Sequence, residues 1–238
     1  MNKYCFCVVK NFEMIQNKME NYGLKIIRYN DIAMIVEDIS IDPELLIPTS
    51  EDLLKHEETM EKIMQEVQLI PMRFGVIANE EEIIGILQKN YNEFIRLFKK
   101  LTNRLELGLK IFWTEESFKN EIEDQDVREL KDKLIKQVNL TEIELAAIGQ
   151  LVHEKIEKKR SEYTDLIFNK LDKLSLESKL NNAHIPKMIL NSAFLIDEDK
   201  KETFDKIIDE LSDKYKDTLV FKYTGPWPPY NFIDGTFS

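Results

Sequence analysis

The spacing of apolar residues predicts short strands and amphipathic helices in the first half of the chain. Apolar runs over residues 4–9, 24–28 and 32–36 predict three strands, with a short helix after the first. A further apolar run over residues 69–76 predicts a fourth strand, and Pro71 restricts it to a strand start or an edge position. These four segments can form one sheet.

Two longer helices complete this half of the chain. Ser50 is placed to cap a helix whose apolar stripe includes His56. Asn79 and Glu82 have the spacing of a capping box, and apolar residues then recur at intervals of three and four up to Leu101. The resulting order predicts a ferredoxin-like β-α-β-β-α-β domain over residues 1–102.

The second half predicts another α+β domain. Residues 103–113 alternate between polar and apolar side chains, which indicates a half-buried strand of a second sheet. Residues 114–180 are strongly charged and carry a narrow apolar seam, as in long helices. Two more strands are predicted at 188–196 and 218–223, with a helix between them. We therefore expect an α+β fold with a C-terminal domain over residues 103–224 that combines a small sheet with long helices.

A proline-rich tail, residues 225–238, follows the last predicted strand. Proline has no backbone N–H, so we expect the tail to leave the sheet and to take a stiff, extended path. Its large aromatic side chains can pack on the chain's own domains or dock on a partner. The residues that define this motif are Gly225, Pro226, Trp227, Pro228, Pro229 and Tyr230.

Composition and charge limit the kinds of partner. The chain has 238 residues, of which 43% are hydrophobic and 32% charged, with a net charge of −11. No basic cluster is dense enough to neutralise phosphates, which argues against nucleic acid. No apolar run reaches the length of a bilayer and no signal-peptide pattern occurs, so we expect a soluble cytoplasmic protein without a membrane partner.

Candidate chemistry is sparse. Arg73 and Phe74 lie in an apolar run, where a guanidinium either is tied to an internal carboxylate or to loop carbonyls, or binds an anion. His56 is either a proton-transfer group or ligand, or a partly buried imidazole hydrogen-bonded to a loop. Cys5 and Cys7 would point to the same side of a strand, and we expect them to be buried reduced thiols. The motifs of common catalytic, metal and cofactor sites are missing, so we expect no enzyme, no metal and no cofactor.

Four segments together resemble the gas vesicle protein family GvpF/GvpL. They are Ile-Pro-Met-Arg-Phe-Gly at 70–75, Arg-Leu-Glu-Leu-Gly at 104–108, Asn-Ser-Ala-Phe-Leu-Ile at 191–196 and Gly-Pro-Trp-Pro-Pro-Tyr at 225–230. The resemblance extends over essentially the whole chain, to Phe232. It implies a minor structural or assembly protein of gas vesicles, which are gas-filled protein shells. It also implies binding to the hydrophobic major shell protein GvpA and to other gas vesicle accessory proteins.

Two other functions compete with this reading. Ferredoxin-like domains often carry effector sites, so a small-molecule-binding regulator without catalysis is the alternative. A well-formed polar pocket around Arg73 would favour it. An enzyme would require a cleft with two titratable groups in opposed environments, and His56 is the first residue to inspect.

Overall fold

The chain is an α+β protein. The computed structural model describes residues 1–40, 49–122, 141–233, 235 and 237. These residues form two small antiparallel sheets covered by helices, which confirms the predicted fold class. The part of the predicted helical region that spans residues 123–140 lies outside the described residues.

The chain divides into two compact units. The first unit consists of Met1–Leu105 together with Trp227–Ser238, and the second consists of Glu106–Pro226. The predicted domains 1–102 and 103–224 and the tail 225–238 stay predictions. The C-terminal segment that begins at Trp227 groups with the first unit rather than with the strand that precedes it.

The first unit is built on one sheet. Its strands are β1 (Asn2–Lys10), β2 (Lys25–Tyr29), β3 (Ile32–Ile39), β4 (Leu69–Pro71) and β5 (Ile77–Ala78). The strand order is β2-β3-β1-β4, and β5 also pairs with β1. Strand β1 is antiparallel to β3, β4 and β5, and β2 is antiparallel to β3. Its helices are α1 (Gln16–Asn21), α2 (Ser50–Met64), α3 (Glu80–Lys89) and α4 (Tyr91–Leu101), with 3-10 turns at Phe12–Met14 and Tyr230–Phe232. The ferredoxin-like classification of this unit stays a prediction.

The core of the first unit lies on both faces of its sheet. Residues 32–36 of β3 are all buried, which requires cover on each side because successive side chains alternate. On one side, Met19 of α1 and Ile63 of α2 pack with Cys7 and Ile35 of the sheet. Helix α3 contacts β2 and β3, and its side chains Ile83 and Leu87 are buried.

Local sequence signals set the helix boundaries. The predicted capping box of Asn79 and Glu82 is confirmed, with both reciprocal hydrogen bonds present. The cap of α2 is Thr49, one residue before the predicted Ser50, because its hydroxyl accepts from the N–H of Asp52. The predicted single helix after Asn79 is two helices. At Asn90 the side-chain amide and the backbone N–H both donate to the Ile86 carbonyl, and this competition ends α3.

A β-bulge interrupts β1. Cys5 lies opposite Val36 and Cys7 lies opposite Ile35, so Phe6 is the extra residue in the ladder. The regular alternation that predicted a common side for the two cysteines therefore does not hold at this point. Both thiols are free and buried, as predicted, and burial raises the pKa of Cys5 to about 12.

The strands of the second unit are β6 (Arg104–Trp113), β7 (Glu177–Leu180), β8 (Met188–Asp197) and β9 (Leu219–Trp227). Their order in the sheet is β7-β8-β6-β9. Its helices are α5 (Glu115–Ile122), α6 (Glu142–Asp172) and α7 (Lys201–Tyr215). Phe194 of β8 contacts Phe168 of α6 and Phe204 of α7, so both helices share one face of the sheet. Among the described residues, none of the helices combines the length and hydropathy needed to span a bilayer.

Candidate functional site

The buried imidazole of His56 joins three segments of the first unit. His56 lies on α2 and is 3% exposed. Its Nδ1 lies 2.9 Å from the hydroxyl of Tyr4 on β1, and its Nε2 lies 2.9 Å from the hydroxyl of Tyr230. A neutral imidazole has one donor and one acceptor nitrogen, so one hydroxyl donates to the ring and the other accepts from it. Both nitrogens are thus satisfied, and Tyr230 is tied to the strand and the helix.

Aromatic rings enclose this imidazole. The ring of Phe6 stacks on it with centroids 5.6 Å apart, and the ring of Phe74 meets it edge-on at 5.5 Å. This apolar surrounding lowers the pKa of His56 to about 4, because burial disfavours the charged form. The imidazole is therefore neutral at pH 7, and its partners are tyrosine hydroxyls rather than the backbone of a loop.

The segment after β4 contacts the Tyr4 hydroxyl. The N–H of Gly75 donates to this hydroxyl at 3.1 Å, and burial raises the pKa of Tyr4. Gly75 has a φ of 85°, a conformation that favours glycine. The predicted strand over residues 69–76 is therefore only partly correct. The ladder ends at Pro71 and resumes as β5, and residues 72–76 form a turn between the two strands.

Arg73 lies on this turn with an exposed side chain. The prediction of an interior guanidinium tied to a carboxylate or to loop carbonyls is wrong, because the chain leaves the ladder before Arg73. Within the described part of the chain, the guanidinium has no hydrogen bond or ion pair. It lines a cavity of about 110 Å³ together with Met72, Tyr230 and Ile233. Small-molecule pockets usually measure about 300–1,000 Å³, so this cavity suits a single side chain rather than a whole effector.

The C-terminal segment supplies a core residue to the first unit. Phe232 is 0% exposed, and its carbonyl accepts a hydrogen bond of 3.1 Å from Nζ of Lys100 on α4. Further along the chain, the ring centroid of Phe237 lies 4.5 Å from the ring centroid of Phe94. These contacts favour packing of the segment on its own unit. Its role toward a partner stays a prediction.

The first half of the predicted motif remains in a sheet. Gly225, Pro226 and Trp227 are the last residues of β9, so the expectation that proline would end the ladder before them is wrong. Strand β9 stands at the end of the strand order, where only alternate backbone groups meet a neighbour. A proline is tolerated on such an edge because its missing donor is not needed there. Gly225 and Pro226 are exposed, whereas Trp227 is half-buried.

The second half of the motif forms a tight turn. The carbonyl of Pro228 accepts from the N–H of Tyr230 at 2.7 Å, and that of Pro229 accepts from the N–H of Phe232 at 3.1 Å. Pro228 is buried, and Tyr230 keeps 39% of its surface exposed although its hydroxyl reaches His56. The motif thus changes from strand to turn at Pro228, and the turn directs Tyr230 and Phe232 toward the first unit.

The predicted site residues therefore separate into two groups. Arg73 and Tyr230 line one cavity, and Phe74 is linked to Tyr230 through His56. Gly225 and Pro226 belong to β9 of the second unit. No group of three or more potential metal ligands occurs in the described part of the chain. Arg73, Phe74 and Tyr230 therefore form a surface with aromatic rings and one exposed cation.

Sequence reasoning missed the partners of His56 and Phe232. Tyr4 precedes His56 by 52 residues, and Lys100 precedes Phe232 by 132. No local spacing links residues so far apart. The alternation of Tyr4 with Phe6 on β1 was a usable signal, because two rings on one strand face require an apolar partner layer.

Fold and site define an α+β protein whose C-terminal segment completes the first unit. The chain belongs to the family described as gas vesicle synthesis protein GvpL/GvpF, whose model matches residues 2–234. The family resemblance seen in the four sequence segments is thus confirmed.

Individual relatives agree with this assignment. The chain is 28% identical to gas vesicle protein F of Nostoc sp. PCC 7120 over an alignment of 195 residues. This alignment covers 79% of this chain and 80% of the relative. It is 26% identical over 211 residues to gas vesicle protein F1 of Halobacterium salinarum, with 87% and 79% covered. The fold is similar to the crystal structure of gas vesicle protein GvpF from Anabaena sp. PCC7120, with a TM-score of 0.77, 22% identity and 97% of each chain covered.

Proposed function

We propose that this chain supports gas vesicle formation by binding the hydrophobic major shell protein GvpA, as a minor structural or assembly component. The observation that carries the proposal is the family match over residues 2–234, since the described family is one of gas vesicle synthesis. A shell subunit that borders a gas space exposes apolar surface, which aggregates in water unless another surface covers it. The chain would cover this surface and release the subunit to the growing wall of the gas vesicle. The chain itself would be found at the vesicle.

The surface proposed for this contact consists of Arg73, Phe74 and Tyr230. The cavity beside them accepts an apolar side chain, because Met72 and Ile233 line it. Arg73 stands at its edge and can pair with a carboxylate or a carbonyl of the partner. A small apolar cavity next to a cation fixes the orientation of the bound partner, because an apolar group enters the cavity and a polar group pairs with the cation.

Co-production with GvpA tests the proposal. We expect GvpA to co-purify with the wild-type full-length chain, and we expect the Arg73→Glu variant to lose most of that association while it folds normally. The matched control is Arg96→Glu, which reverses an exposed arginine on α4 that pairs with Glu93. Equal retention of GvpA by both variants would argue against this surface. Absence of association with the wild-type chain, together with normal vesicles in cells that lack the chain, would overturn the function.

A further inference from the structure

The C-terminal segment is held differently in its first and last parts. Tyr230 and Phe232 are fixed by the hydrogen bonds to His56 and Lys100 described above. The residues that follow have no such anchor. Within the described part of the chain, none of them makes a hydrogen bond, and we call them the C-terminal tip: Ile233, Gly235 and Phe237. Apolar contact alone therefore holds the tip.

The C-terminal tip covers an apolar face of α4 through Phe237. The ring of Phe237 is tilted by 46° against the ring of Phe94, at the close spacing given above. Phe94 belongs to the buried face of α4, together with Leu97, Phe98 and Leu101. Phe237 itself is only half-buried. If its ring moved away, part of this apolar face would meet water, which favours its cover by another apolar group.

The same tip lines the cavity beside Arg73. All three residues of the tip belong to the lining of that cavity, as do Met72 and Arg73 of the turn after β4. The space that Phe237 occupies therefore adjoins the cavity. A partner side chain that took the place of Phe237 would lie against Phe94 and would remain close to the guanidinium of Arg73.

The C-terminal tip is held weakly enough to be displaced. Complete burial of a phenylalanine side chain is worth a factor of about 10 to 100 in an equilibrium constant. Because Phe237 is half-buried, the docked tip should exceed the released tip by about tenfold. Gly235 has a φ of 110°, a conformation that favours glycine, and it gives the backbone freedom between Phe232 and Phe237.

We propose that Phe237 competes with the bound partner for the face of α4 beside Phe94, where an aromatic or large aliphatic side chain of the partner takes its place. The chemistry of this side chain follows from the ring that covers the position in this structure. The inference rests on the proposed function and adds that the docked tip lowers the affinity for GvpA. Return of the tip to α4 then favours release of the shell protein to the growing wall.

A small aromatic probe tests the displaceable tip without GvpA. The probe is N-acetylphenylalanine amide, and ligand-observed NMR with the full-length chain measures its binding. Phe237→Ala vacates the position beside Phe94, so we expect it to bind the probe about tenfold more tightly than the wild-type chain. The matched control is Tyr22→Ala, which truncates an aromatic side chain that is 44% exposed and does not line the cavity. This control should bind the probe as the wild-type chain does.

A titration with GvpA tests the competition itself. We expect Phe237→Ala to lower about tenfold the concentration of chain that keeps half of the GvpA in solution, because the competing ring is gone. Phe237→Leu should stay within about twofold of the wild-type chain, since leucine still covers Phe94. Tyr22→Ala should leave the titration unchanged. Urea unfolding checks that the variants fold, which we expect because Phe232 stays in place.

Two results would overturn the proposal. One is equal binding of the probe by the wild-type chain and Phe237→Ala. The other is loss of GvpA by a folded Phe237→Ala variant, which would make Phe237 part of the partner contact rather than its competitor. Tighter probe binding by Phe237→Ala, combined with failure of every variant to hold GvpA, would support the displaceable tip and contradict the proposed function.

Discussion

Phe232 anchors the C-terminal segment in the first unit, so its truncation tests whether that segment is part of the fold. The side chain is 0% exposed, and the backbone of the same residue is held by Lys100 on α4. Replacing a buried phenylalanine by alanine usually costs about 3–5 kcal/mol, from lost apolar burial and the cavity that remains. Domains are stable by about 5–15 kcal/mol, so Phe232→Ala removes a large share of the stability of this unit.

Urea unfolding of the full-length chain, followed by circular dichroism, measures this loss. We expect the transition of the first unit to move to lower urea with an unchanged slope, because the surface exposed on unfolding stays similar. Met14→Ala is the control, since Met14 is 85% exposed and its truncation should change stability by less than about 0.5 kcal/mol. A Phe232→Ala shift no larger than that of Met14→Ala would refute the idea that the segment is integral to the unit.

Three further predictions concern the contacts of His56 and Arg160. Tyr230→Phe leaves Nε2 of His56 without its hydroxyl partner and should cost about 1–3 kcal/mol by urea unfolding. Because the pKa of His56 falls from 6.5 to about 4 on folding, stability should be unaffected above pH 6.5 and decrease by about 3 kcal/mol as the pH falls to 4. His56→Gln should abolish this decrease, and His184→Gln, at an exposed position, should retain it. The guanidinium of Arg160 donates to the carbonyls of Met188 and Ile185. Arg160→Met removes both hydrogen bonds, so it should lower the free energy of unfolding by about 2 kcal/mol and speed amide exchange at residues 185–188.

Local patterns predicted the elements of the fold well where the signal was contained within a few residues. The capping box of Asn79 and Glu82 is an example, because both partners lie within one helical turn. The break at Asn90 was not predicted, since apolar spacing continues across it while the asparagine side chain competes for the Ile86 carbonyl. Proline at position 226 was misread, because sequence does not show that β9 stands at a sheet edge.

The candidate site depended on contacts that sequence could not supply. Tyr230 was singled out as an aromatic anchor, yet its partner His56 lies 174 residues away. The exposure of Arg73 follows from the chain leaving the ladder after Pro71, whereas an apolar run alone suggested burial. Residue types therefore singled out Arg73 and Tyr230 as candidates. Their arrangement came only from the tertiary fold.

The solubility of purified GvpA in the presence of this chain measures whether the chain covers the apolar surface of the shell protein. We expect the wild-type chain to keep GvpA in the supernatant as a complex, in proportion to the chain added, and Arg73→Glu to do so much less. Equal aggregation of GvpA with and without the chain would contradict the proposed binding.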